Sequence, residues 1–94
     1  MQHRLLFRMH AIRRMFERGI TVDEVEAVLG AGEVIEDYPN DTPYPSRLML
    51  GWIGSRPLHV VAASNLAQNE EIVITVYEPD LLQWVPGFKI RRVQ

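Results

Sequence analysis

The chain has 94 residues, 47% of them apolar and 23% charged, the proportions of a single globular domain spanning 1–94. No apolar run approaches the roughly 20 residues of a membrane-spanning helix. The start, Met1 to Arg8, has only three consecutive apolar residues, too few for a signal peptide. A cytoplasmic protein with no membrane partner is therefore expected. Cysteine is absent, which excludes disulfides, Cys-ligated zinc and thiol catalysis. The histidines are His3, His10 and His59, and none has a metal-ligand spacing. No metal and no cofactor is expected.

The net charge of −2 is unevenly spread. Residues 1–20 carry five arginines and one glutamate, residues 21–46 carry seven acids and no base, and residues 47–94 carry five bases and four acids. A basic first element thus precedes an acidic second one. Nine of the ten cations are arginine, whose planar fork grips phosphate or carboxylate with two hydrogen bonds. An arginine-rich codon preference accounts for the same count.

Leu5, Met9, Ile12 and Phe16 recur at i, i+4, i+7 and i+11. This stripe predicts a helix over 5–18 with that side buried. Gly19 is the expected left-handed stop, followed by apolar Ile20. Thr21-Val22-Asp23-Glu24 is a capping box. It opens a second helix with Val22, Val25, Val28 and Leu29 inward, closed by Gly30 and Gly32.

Strands follow over 33–38, 47–53, 57–63 and 71–78. Pro39 to Pro45 is a loop, Gly54-Ser55 a two-residue hairpin turn of the Gly-X type, and Ser64 to Glu70 a polar loop. Leu81 to Phe88 is an irregular apolar segment around Trp84 and Pro86, and Lys89 to Val93 a short strand or tail. Helices first and strands afterward predict an α+β fold. A helical hairpin would pack on one face of a four- to five-stranded antiparallel sheet.

His59 lies within an apolar strand. If the hairpin beyond it closes symmetrically, His59 pairs with Tyr77 and Val61 with Thr75; a one-residue slip would remove that pairing. Two readings stay open: a satisfied histidine on a half-buried sheet face, or a general acid–base pair. His10 and Arg14, at i and i+4, project from one helix face with Arg13, Glu17 and Arg18 nearby. That face is either solvated or a cationic strip for phosphates, extended by Arg91 and Arg92. The carboxylates of 33–41 form no calcium loop and read as a solvated edge strand. Gly51, Gly54 and Gly87 form no phosphate-binding pattern, and no G-x-S-x-G occurs.

Several segments resemble one family. They are His10-Ala11, Arg14-Met15, Arg18-Gly19-Ile20-Thr21, Val25, Leu29, Gly32-Glu33-Val34-Ile35, Pro57-Leu58-His59-Val60-Val61 and Ile74-Thr75-Val76-Tyr77. Together they resemble DUF4258 over about residues 8–80. That family is similar to compact bacterial toxins of the RelE/ParE and BrnT kind, so the resemblance implies a RelE-like fold. It also implies the toxin component of a toxin–antitoxin pair, acting as a metal-independent endoribonuclease. A small zinc-finger-type antitoxin and RNA would be its partners. By this resemblance His10, Arg14, His59 and Tyr77 are catalytic and Arg18 is carried over with them; as a cationic strip, Arg13, Arg18, Arg91 and Arg92 would hold RNA phosphates. The alternative is a non-catalytic protein-interaction module with a toxin-like fold, whose edge strand could also pair two copies into a homodimer.

Overall fold

A computed structural model describes residues 4–93; His3 lies outside them. The element order is β1 (Arg4–Phe7), α1 (Met9–Arg18), α2 (Val22–Ala31), β2 (Glu33–Tyr38), β3 (Ser46–Ile53), β4 (Arg56–Asn65), a single 3₁₀ turn (Leu66–Gln68) and β5 (Glu70–Tyr77). One five-stranded sheet has the order β1-β5-β4-β3-β2. β2 to β5 pair antiparallel, but β1 lies parallel to β5, with Phe7 opposite Val73. The sheet is mixed, which corrects the antiparallel expectation. The parallel pair joins segments more than sixty residues apart, a contact that no local turn signals.

The first helix also needs correction. Leu5 belongs to β1, and α1 starts at Met9. Ala11 and Met15 face the core, whereas Met9, Ile12 and Phe16 are 72%, 47% and 89% exposed. The strongest apolar period in the sequence therefore marks the outer side of the helix. In α2, Val25 and Val28 are buried and Leu29 packs against the core, but Val22 faces outward.

The punctuation behaves as its chemistry requires. Gly19 takes φ 64, and the Ile20 amide returns to the Met15 carbonyl at 2.9 Å. The Glu24 amide donates to the Thr21 hydroxyl at 3.1 Å, and the Thr21 amide to the Glu24 carboxylate at 2.9 Å. Gly54 opens the β3–β4 turn with φ 63. Gly32 ends α2 with φ −75, so its role is close packing rather than a left-handed turn.

Residues paired across antiparallel strands share a sheet face. Leu58, Val60 and Ala62 of β4, Met49 of β3, and Val73 and Val76 of β5 join Ala11, Met15, Val25 and Val28 in the core under the helices. Gly51 of β3 lets α2 approach: a Cβ there would lie 2.6 Å from a Val28 methyl. His59, Leu48, Leu50 and Tyr77 lie on the opposite face. Residues 79–93 cross that face as a strap. It begins where β5 ends and is tied to β2 by Lys89–Glu33 (2.9 Å) and Arg91–Glu36 (2.9 Å). Within the strap, Asp80 accepts from the amides of Leu82 and Gln83, and Trp84 bridges to Arg91.

Candidate functional site

His59 and Tyr77 are directly opposed, as the symmetric reading required. Two departures from symmetry cancel to give that register. At the turn, Asn65 pairs with Glu70, one residue short of the symmetric register, and Ile74 is then bulged out between Val73 and Thr75. Without the bulge His59 would face Val76, a core residue. A second bulge, at Ile35, places Glu33 and Glu36 on the strap face together with Tyr38.

The His59 ring is fully buried and both its nitrogens are engaged. Nε2 is 2.8 Å from the Phe88 carbonyl, and Nδ1 is 3.1 Å from the Tyr77 hydroxyl. A carbonyl can only accept, so Nε2 carries the proton and Nδ1 accepts from Tyr77. Phe88 holds φ 61, an uncommon backbone conformation for a side chain of its size. Trp84 stands edge-on to the imidazole at 4.4 Å between ring centroids and is only 1% exposed. Arg91 stacks over the Trp84 ring at 4.7 Å and grips Glu36 with two bonds of 2.9 and 3.1 Å. The Tyr38 hydroxyl donates to the same carboxylate.

Each titration shift has a local cause. Burial pushes the His59 pKa down, opposed by the Phe88 carbonyl, which favours the protonated ring. The Arg91 hydrogen bond holds Glu36 below the usual carboxylate range. Burial raises both tyrosines, Tyr77 and Tyr38, with the Glu36 bond adding to the second.

The other candidates lie elsewhere. His10 and Arg14 sit on α1 and make no hydrogen bond or ion pair with His59 or Tyr77. His10, Arg8, Asp41, Thr42 and Tyr44 line an open cleft of about 430 Å³ whose walls include Ala63 and Ile74. Ala63 lies four positions along β4 from His59, about 13 Å along the strand. Asp41 is partly satisfied, accepting from Ser46 Oγ at 2.6 Å and from the Thr42 amide at 3.1 Å. The Tyr44 hydroxyl accepts from Asn65 at 3.1 Å and donates to no described residue. The side chains of Arg8, Arg13, Arg14 and Arg18 form no ion pair with any described residue. Arg91 is committed to Glu36 and Trp84, and Arg92 donates to the Leu81 carbonyl. Both therefore brace the strap.

Sequence reasoning missed Glu36, Tyr38, Trp84 and Phe88 as neighbours of His59, because they meet only through the strap. It also missed Arg8 and Tyr44. A cation directly before the first helix and a tyrosine inside a proline-rich loop were the available signals.

Among the described residues, no cluster of three His, Asp or Glu side chains is placed to hold a metal. No helix among them is long and apolar enough to cross a membrane.

The mixed sheet, the helical hairpin on one face and the strapped histidine define a small α+β domain. The chain belongs to the family described as "Domain of unknown function (DUF4258)", whose model matches residues 7–78. No curated protein and no solved structure matches it.

Proposed function

We propose that this domain is the toxin-like half of a two-protein pair, with a RelE-like fold, and that it cuts RNA without a metal. One observation carries the reading. His10 and Arg8 line a single open cleft at the head of a helix whose Arg13, Arg14 and Arg18 form no ion pair with any described residue. The arginines would hold the phosphate backbone. His10 would take the proton from a ribose 2′-hydroxyl. The freed oxygen would attack the adjacent phosphorus, forming a 2′,3′-cyclic phosphate and breaking the bond to the 5′-oxygen. That oxygen would take a proton from Tyr44 or water. Arg8 would stabilise the extra charge on the phosphate in the transition state. His59 and Tyr77, closed under the strap, would hold the sheet and strap together.

Inducible expression in bacteria tests this. Wild type should arrest growth, and His10→Ala, made at equal soluble level, should not. Unimpeded growth with soluble wild type would count against the reading.

The closure of His59 and Tyr77 favours a second reading, a non-catalytic interaction module. It predicts harmless expression and a stoichiometric complex with a partner in the native host, such as a small zinc-finger-type antitoxin.

A further inference from the structure

The outer side of α1 carries Met9, Ile12 and Phe16, the last 89% exposed. Three large apolar side chains one turn apart on a ten-residue helix make a continuous apolar ridge. A second apolar feature lies beside α2. β2 pairs with β3 only as far as Leu50, so the edge of β3 beyond it is uncovered. Ala27 and Ala31 of α2, with Gly51, Trp52 and Ile53 of β3, line a cleft of about 380 Å³ there. Small side chains on α2 leave it open, and Glu33, paired with Lys89, lies at its rim.

The two features have opposite charge. The ridge is flanked by Arg13, and α1 has no acid in its first turn. The cleft borders the acidic helix: Asp23, one turn before Ala27, makes no ion pair with any described residue, and no base lies between residues 21 and 46.

We propose that a second copy of this chain docks here, with Met9, Ile12 and Phe16 of each copy seated in the α2–β3 cleft of the other. Ridge and cleft belong to different helices of one hairpin. A two-fold axis along the hairpin uses both twice, and the contact closes on itself. Arg13 then approaches Asp23 of the opposite copy, a contact that weakens with salt. This pairing runs through the helical layer, not through the edge strand β2.

Sedimentation of the full chain from nanomolar to high micromolar concentration tests the proposal. Phe16→Glu removes the ridge and Ala27→Arg fills the cleft. Both positions are exposed, so both variants should melt with wild type at concentrations where all three are monomeric. Wild type should reach twice its monomer mass of 10.9 kDa. Each variant should stay monomeric at the same concentration. A wild type monomeric throughout would overturn the proposal. So would a dimer that survives both substitutions, which would place the contact elsewhere, at β2 or the strap.

Discussion

His59 holds its place as the neutral Nε2–H tautomer, because the Phe88 carbonyl needs a donor and Tyr77 already supplies a proton to Nδ1. Burial lowers its pKa below the ordinary 6.5. The unfolded chain therefore binds a proton more readily than the folded one. The His59 contribution to stability is complete above about pH 6.5 and is lost as pH falls through that value toward the folded pKa. Glu36, lowered from 4.5, acts in the same sense further down the scale. Urea unfolding from pH 5 to pH 8 should show stability rising with pH, and His59→Gln should flatten the upper part of the rise. An equal rise in both would assign it to other groups. Tyr77→Phe leaves Nδ1 buried without its donor and should cost about 1–3 kcal/mol, read as a lower urea midpoint. The alternation of β4 and β5 made this pair readable in the sequence. The bulge at Ile74 that preserves it was not readable, since nothing in Val73-Ile74-Thr75 distinguishes a bulged β-branched residue from a paired one.

At the scale of elements, local punctuation was legible and distant partnership was not. Gly19, the Thr21–Glu24 box and Gly54 announce their ends by backbone chemistry that is complete within a few residues. The buried side of α1 could not be found the same way. Ala11 and Met15 form a weaker apolar period than Met9, Ile12 and Phe16, yet they are the residues facing the core. Periodicity reports an apolar side without reporting what covers it. β1 was hidden for a similar reason: its parallel partner lies at the far end of the chain. The approach of α2 to β3 gives a direct check. Gly51→Ala forces a methyl against Val28 and should cost about 1–3 kcal/mol by overpacking, while Gly30→Ala, where a Cβ meets nothing within 4 Å, should be neutral or stabilising. Thermal melting of the two variants distinguishes these outcomes. Equal melting of both would deny the close contact.

For the whole molecule, the strap decides what the sheet can do. It closes the face that holds His59 and binds β2 through Glu33 and Glu36. Trp84→Ala should cost about 3–5 kcal/mol, a large part of the roughly 5–15 kcal/mol that holds a domain of this kind together. The acids read as a solvated edge thus anchor the strap, and the terminal arginines read as phosphate ligands brace it. On the single chain, the basic helix and the cleft at its head remain accessible. The arginine excess of residues 1–20 was visible as composition. Arg4 pairs with Glu70, while the freedom of Arg8, Arg13, Arg14 and Arg18 from ion pairs with described residues, and the meeting of Arg8 and His10 with Tyr44, required the fold. In the proposed function, RNA is cut at that cleft and not at the buried histidine. Purified wild type, His10→Ala and Tyr77→Phe should be incubated with single-stranded RNA in EDTA, and the new ends identified. Wild type and folded Tyr77→Phe should leave 2′,3′-cyclic phosphate ends, and His10→Ala none. Cleavage that survives in His10→Ala but is lost in Tyr77→Phe would contradict the proposal.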